Sequence, residues 1–296
     1  DATRWYMISN SNPWDNLKFD INGIEEVKRK FFGTLYNTYS FFVLYANIDK
    51  FDYSEDEIEI SSRPEIDRWI LSELNTLIKN VDKFYSEYEP TKVARTISDF
   101  TVEILSNWYV RLSRRRFWKG DYESDKISAY QTLYTCLITI SKLAAPIAPF
   151  FMDKLFLDLT KNISKIDEES VHLTTFPVSN ELLIDSDLER KMKYAQKISS
   201  LTLSLRAKEK IKVRQPLNKI MIPVSNSDQK NEIKAVSDLI KNEVNVKEIQ
   251  LLEGGSDILV KNIKPNFKTL GPKYGRLMKD ISNAVSKLNG NDIKKL

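Results

Sequence analysis

The sequence has almost no cysteine or histidine. Cys136 and His172 are the only members of their residue types among 296 residues. A single cysteine cannot form an internal disulfide or a thiolate cluster, and one cysteine with one distant histidine cannot build a zinc site. A cysteine–histidine nucleophilic pair is disfavoured for the same reason. We therefore expect no bound metal and no catalytic residue of this kind.

Glycine is also scarce, with 8 residues in the chain. No phosphate-binding loop of the GxGxxG or GxxxxGK[ST] type occurs, and no GxSxG nucleophile motif is present. The carboxylates of the stretch SEDEIE at 54–59 lie in a polar segment, which indicates a solvated loop rather than a general acid–base pair. These absences favour a binding module over an enzyme.

Long apolar runs are missing as well. No run of about 18 apolar residues is present, and no basic start precedes an apolar signal-peptide core. We expect a cytoplasmic protein with no membrane contact. The net charge is +4, but residues 206–296 carry +9 and residues 1–205 carry −5. A basic second part indicates a polyanion partner, and an ordinary lysine-rich surface explains the same charge equally well.

Apolar residues spaced three and four apart predict a series of long helices. They cover 22–46, 62–88, 91–118 and 124–143, and a fifth starts in the turn 144–150 and ends near 161. Ser62 is the predicted cap of the second helix, with Pro64 in its first turn. An acidic loop at 49–60 separates the first two helices. The short connections make an antiparallel bundle the simplest arrangement.

Two apolar stripes define the predicted core of this bundle. The stripe of the second helix comprises Ile66, Ile70, Leu74, Leu77, Val81, Phe84 and Tyr88. The stripe of the third comprises Val93, Ile97, Phe100, Ile104, Trp108 and Leu112.

The periodicity changes in the second part of the chain. A helix is predicted at 183–210, strands at 219–224, 247–252 and 257–263, and further helices at 228–242 and 275–288. The predicted fold class is therefore mainly α, with a helical bundle followed by a small α+β unit.

The stretch NWYVRLSRRRFWKGD at 107–121 is rich in arginine and large aromatics. On a helical wheel Arg111, Arg114, Arg115 and Trp118 share one flank, whereas Arg116 points elsewhere. Guanidinium groups bind phosphates and an indole stacks on unpaired bases. The alternatives are cations attracted to a helix C-terminus and a structural role for Arg111. The pattern leaves open whether Trp118 is core or a base platform.

Two more basic clusters follow, in 205–217 and 261–275. They are candidate phosphate contacts, and solubilising edge positions explain them equally well. The candidate RNA-binding residues of all three clusters are Arg111, Arg114, Arg115, Arg116, Trp118, Lys119, Arg206, Lys208, Lys210, Lys212, Arg214, Lys264, Lys268 and Lys273.

A set of motifs in a fixed order resembles a known family. DATRWYM (1–7), NPWDNLKF (12–19), SRPEIDRWILSELN (62–75), NWYVRLSRRRFW (107–118) and LAAPIAPF (143–150) resemble the class I aminoacyl-tRNA synthetases for branched aliphatic amino acids. The later motifs SVHLTTFP, RAKEKIKVRQPL and PNFKTLGPKYG are similar to isoleucyl-tRNA synthetases in particular. KVRQPL and NFKTLGPKYG are the most specific, because the bundle motifs are shared across the subgroup.

This resemblance implies the region after the catalytic domain, where a helical bundle of the anticodon-binding type contacts the anticodon stem-loop. The expected domains are 1–20, the tail end of a missing catalytic domain; 21–182, the anticodon-binding bundle; and 183–296, a connecting helix and a small basic domain. Trp5, Tyr6 and Trp14 are expected to have packed on the absent domain.

The family's HIGH and KMSKS motifs are absent. We therefore expect an excised fragment with no cofactor and no aminoacylation activity of its own. ATP and magnesium belong to the parent enzyme, which attaches isoleucine to its tRNA. The expected partners are isoleucine tRNA and the missing catalytic domain. The alternatives are a helical protein-interaction module without an RNA role, and the same region of a valyl- or leucyl-tRNA synthetase.

Overall fold

The computed structural model describes residues 1–119, 121–161, 168–253 and 265–286. The chain divides into two compact units, Asp1–Arg190 and Lys191–Leu296. The first is a helical bundle, and the second combines helices with a small sheet. The predicted mainly α fold with a small α+β unit is therefore confirmed.

Helices form most of the first unit. They are α1 (Ala2–Asn10), α2 (Ile21–Val27), α3 (Gly33–Asp49), α4 (Glu65–Ser86), α5 (Pro90–Asp99), α6 (Arg111–Trp118), α7 (Ser124–Ala144), α8 (Pro149–Thr160) and the start of α9 (Ser186–Lys208). A π-helical segment, Lys28–Phe32, joins α2 to α3, and a second one, Phe100–Val110, joins α5 to α6. The chain is thus continuously helical at 21–49 and 90–118, close to the predicted 22–46 and 91–118.

Helix α4 runs through the bundle and is amphipathic. Ile70, Leu74, Leu77 and Val81 of the predicted stripe are buried. Tyr88 was wrongly included, since it lies past the end of the helix in a left-handed conformation (φ 57°) and is 87% exposed. The predicted Ser62 cap is also wrong. Ser62 belongs to a 3-10 turn (Ile60–Ser62), and Pro64 occupies the N-cap position.

The buried stripe of the third long helix is displaced from its predicted position. Beyond Phe100 the chain buries Leu105, Tyr109 and Phe117. Trp108 of the predicted stripe is buried as well, whereas Ile104 and Leu112 are only half-buried. The π-helical segment is the cause, because a π turn contains more residues than an α turn. One extra residue rotates all later side chains by about 100°.

The N-terminal helix packs on the bundle rather than on a missing partner. Trp5 and Tyr6 are buried, and the Trp5 ring stacks on Phe31 with 4.1 Å between centroids. The Trp5 indole also donates to Ser98 Oγ at 3.0 Å. The expectation that Trp5 and Tyr6 packed on an absent domain is therefore wrong. Trp14, by contrast, is 67% exposed, and its expected contact with an absent domain stays a prediction.

The second unit contains a parallel two-stranded sheet in the described residues, formed by β1 (Leu217–Val224) and β2 (Val246–Glu253). Two short helices, α10 (Ser227–Ala235) and α11 (Ser237–Val244), connect the strands where one helix at 228–242 was predicted. Parallel strands require such a crossover. The third predicted strand, at 257–263, lies outside the described residues.

The C-terminal helical region begins earlier than predicted. Helix α12 (Phe267–Tyr274) precedes a 3-10 turn, Gly275–Leu277, and α13 (Met278–Ser286), so the start predicted at 275 is wrong. Asn266 explains the earlier start, because its side-chain oxygen accepts from the backbone N–H groups of Lys268 and Thr269.

Candidate nucleic-acid interface

The last two turns of α6 present a basic and aromatic surface. Arg111, Arg114, Arg115 and Lys119 are exposed, and Trp118 is 58% exposed. No acidic side chain of the described residues forms an ion pair with Arg114 or Arg115. The open question about Trp118 is answered in part, since its indole does not belong to the core. We call Arg114, Arg115 and Trp118 the arginine flank.

Arg116 points away from the arginine flank and into the protein. Its guanidinium donates to both carboxylate oxygens of the fully buried Asp67, at 2.6 and 2.8 Å. It also pairs with Asp125 at 3.0 Å and donates to Ser128 Oγ at 2.9 Å. The guanidinium that was predicted to contact RNA is therefore occupied inside the bundle. Arg116 therefore does not belong to the arginine flank.

Asp67 is the centre of a buried network that joins three helices. Besides Arg116, its carboxylate accepts from Tyr109 Oη at 2.8 Å and from Ser128 Oγ at 2.8 Å. Burial is the largest single effect on Arg116 and opposes its charge, but the hydrogen bond to Asp67 and the Coulombic attractions of Tyr109, Asp67 and Asp125 together outweigh burial and raise the pKa of Arg116. Burial, followed by the nearby Asp67 charge, also raises the pKa of Tyr109. Arg116 therefore stays charged, and its hydrogen bonds with Asp67 and Ser128 fix α6 against α4 and α7.

The opposite side of the α6 end is held by aromatic packing. The buried ring of Phe117 meets Phe41 at 5.1 Å, Tyr45 at 6.5 Å and Tyr130 at 5.0 Å between centroids. With Arg116 on one side and Phe117 on another, the helix end cannot turn about its axis. The neighbouring arginine flank is thus preorganised, which lowers the entropy cost of binding a ligand there.

Arg111 packs on its own helix. Its Nε donates to Asn107 O at 2.7 Å, and its guanidinium lies 5.6 Å from the centre of the Trp108 ring. Trp108 itself is 9% exposed and forms part of the core. The structural role that the sequence left open for Arg111 is therefore partly correct, although the side chain remains at the surface.

In the second basic cluster, the side chain of Arg206 holds the loop that carries the other cations. Arg206 is buried and donates to the backbone carbonyls of Lys212, Gln215 and Asn245 at 3.0–3.1 Å. These bonds fold the chain after α9 into a compact loop. Arg206 is thus a loop anchor and not a surface contact. Lys208, Lys210, Lys212 and Arg214 surround this anchor and are exposed.

The third cluster is only partly described. Lys264 lies outside the described residues. Lys268 stands in the first turn of α12 and Lys273 in the last, and both are exposed.

Sequence reasoning missed Asp67 completely. An aspartate in the first turn of a helix is usually explained by the helix dipole. Its position next to the apolar stripe could have indicated burial, because Asp67 directly follows Ile66 and lies three residues before Ile70. A carboxylate at such a position is buried and requires a cationic partner.

The chain matches the family described as the anticodon-binding domain of tRNA ligases over residues 67–222. This match includes the arginine flank, the Asp67 network and the loop anchored by Arg206. It covers more than half of the chain, and the chain therefore belongs to this family.

Curated relatives of the chain belong to one branch of this family, the isoleucine–tRNA ligases. The chain is 59% identical to an isoleucine–tRNA ligase from Bacteroides thetaiotaomicron, across the whole chain and 26% of that protein. It is 57% identical to the isoleucine–tRNA ligase of Porphyromonas gingivalis over the same shares. The Clostridium novyi enzyme is 42% identical over 98% of the chain and 27% of its own length. The predicted resemblance to isoleucyl-tRNA synthetases is confirmed, and the chain spans about a quarter of these relatives.

The described helices include no candidate membrane-spanning segment. None of them combines the length and the apolar character that crossing a bilayer requires.

Proposed function

We propose that this chain binds the anticodon stem-loop of isoleucine tRNA, as the tRNA-binding portion of an isoleucine–tRNA ligase. The observation that carries the proposal is the arginine flank, which is exposed on a helix end fixed by Asp67 and Phe117. Bases in an RNA loop can be splayed out and read on their edges, unlike bases inside an A-form helix. Arg114 and Arg115 supply phosphate contacts, and Trp118 supplies a stacking surface.

The role of this surface is selection rather than chemistry. Phosphate contacts fix the register of the RNA, and base contacts then discriminate between sequences. The exposed Lys208, Lys210, Lys212 and Arg214 add electrostatic attraction that depends on salt concentration. The catalytic domain of the same enzyme is the second partner in this proposal. ATP and magnesium act there and not in this chain.

The arginine flank is tested by replacing Arg114 and Arg115 together with alanine. We expect the slope of log K against log salt to shrink by about 0.7–0.9 for each phosphate that the variant no longer binds. Affinity for isoleucine tRNA should fall by about two- to thirtyfold, the range for two exposed charges. A salt titration by fluorescence polarisation measures both quantities, with a non-cognate tRNA in parallel.

The matched control removes two exposed cations elsewhere in the same unit, Arg29 and Lys83. This R29A/K83A variant should keep the wild-type affinity and slope. An R114A/R115A variant that binds tRNA with unchanged affinity and slope would defeat the proposed role of these arginines.

A second prediction concerns catalysis. The chain lacks the HIGH and KMSKS motifs, and His172 is its only histidine. We therefore expect no aminoacyl-adenylate formation. Isoleucine-dependent exchange of pyrophosphate into ATP should stay at the background rate. Exchange that rises in proportion to the concentration of purified chain would contradict this prediction.

A further inference from the structure

A groove of about 430 Å³ lies within the second unit, between α10, α11 and β2. Its floor is apolar. Ile233 of α10 is buried, and Ile249 and Leu251 of β2 are half-buried. These two strand residues pair with Ile220 and Ile222 of β1 and point to the same face of the sheet.

Four lysines surround this floor. Lys230 and Lys234 are neighbours on α10, Lys241 comes from α11, and Lys247 stands near the start of β2. Lys241 pairs with Asp238 at 2.7 Å, and Lys234 and Lys247 are exposed. Glu248 is the one acidic side chain among the described lining residues. Four lysines against Glu248 and the paired Asp238 leave the rim with a formal charge of +2 over a floor that has no charge.

We propose that this lysine-rimmed groove binds the sugar–phosphate backbone of RNA. Lysine is a flexible point charge that attracts phosphate without the fixed geometry of a guanidinium group. Such contacts are independent of base sequence and add salt-dependent affinity. The apolar floor provides a surface for a ribose or a base. The choice of tRNA as the natural RNA rests on the function proposed above.

The arrangement favours a polymer over a single ion. The lysines belong to three separate elements, and the groove is many times larger than a water molecule, which occupies about 30 Å³ in the liquid. The exposed Lys234 of α10 and Lys247 of β2 stand on separate elements, so successive phosphates of one strand can contact both. A site of this kind contributes general attraction, whereas the arginine flank fixes the register of the RNA.

The experiment uses the full chain and the K234Q/K247Q variant, which removes two charges but keeps side-chain length. The probes are isoleucine tRNA and a polyuridylate of about 20 nucleotides, followed by fluorescence polarisation across a salt series. We expect the variant to bind both RNAs about two- to thirtyfold more weakly, with the salt slope reduced by about 0.7–0.9 for each lysine. K234R/K247R should restore both.

The matched control is K193Q/K197Q, which removes two exposed lysines of the second unit outside the groove. It should behave as wild type. An equally weakened control, or an unchanged slope in K234Q/K247Q, would overturn the groove assignment. Failure of the wild-type chain to bind either RNA would do the same.

Two further measurements distinguish RNA from other anionic ligands and distinguish the groove proposal from the proposed function. Lysine-dependent binding of pyrophosphate or of polyglutamate, with RNA binding unchanged in K234Q/K247Q, would reassign the groove and overturn the RNA proposal. A chain that binds polyuridylate through these lysines without preferring isoleucine tRNA would support the groove and contradict the proposed function. The two proposals therefore fail in different ways.

Discussion

Replacing Asp67 with alanine is expected to lower the free energy of unfolding of the Asp1–Arg190 unit by about 3–5 kcal/mol. The carboxylate is fully buried and accepts from Tyr109, Arg116 and Ser128. Its removal leaves the Arg116 guanidinium largely desolvated without its main counter-charge. Breaking a buried pair from one side is costly because the remaining charge is uncompensated.

The measurement can be confined to this unit. All five tryptophans lie in it, at positions 5, 14, 69, 108 and 118. Denaturant unfolding followed by tryptophan fluorescence therefore reports on the bundle alone. A D67A variant with the wild-type transition would refute a structural role for the network.

A double-mutant cycle gives the sharper test. D67A/R116A removes both charges, so it should be less destabilised than the sum of the two single variants, by about 0.5–3 kcal/mol. D67N retains the shape and one acceptor, and its destabilisation should lie between wild type and D67A. Strict additivity of D67A and R116A would indicate that the two side chains do not interact.

Replacing Trp118 with alanine is expected to weaken tRNA binding by about 1–3 kcal/mol, or about five- to 150-fold, with little change in the salt slope. The indole is 58% exposed beside Arg114 and Arg115, so it provides a stacking surface and little core packing. The melting temperature, followed by circular dichroism, should stay close to wild type. Affinity and slope come from the same salt titration that tests the arginines.

Trp14 offers the matched control, because it is an exposed indole outside the flank. W14A should retain wild-type tRNA affinity. W118F keeps an aromatic face and should retain more affinity than W118A. If W118A binds tRNA as tightly as wild type, Trp118 has no stacking role; if it melts at a markedly lower temperature, the indole contributes to packing.

Local patterns in the sequence predicted the helices well. The third long helix was predicted at 91–118 and is helical from 90 to 118, because apolar spacing and flanking proline and glycine are local signals. The partition of α6 was also predicted, with Arg116 placed apart from Arg111, Arg114 and Arg115. A helical wheel contains that information once the helix itself is identified.

The partner of each cation was not predictable in this way. Arg116 binds Asp67 at a separation of 49 residues, and Arg206 binds Asn245 at a separation of 39. Both arginines resemble their exposed neighbours in sequence. A guanidinium group can be buried only where a carboxylate or backbone carbonyl groups accept its hydrogen bonds. For both arginines these acceptors lie far away along the chain, so tertiary packing decides which arginine is buried.

The π-helical segment Phe100–Val110 determines the direction in which the side chains of α6 point about the helix axis. Insertion or deletion of a single residue there would turn the end of the helix by about 100° while leaving α5 in place. An insertion would bring Arg115 to the inward position that Arg116 now occupies, and a deletion would bring Phe117 there. The segment thus determines which residues of α6 form the arginine flank, and it ties the Asp67–Arg116 pair to one rotational setting of the helix.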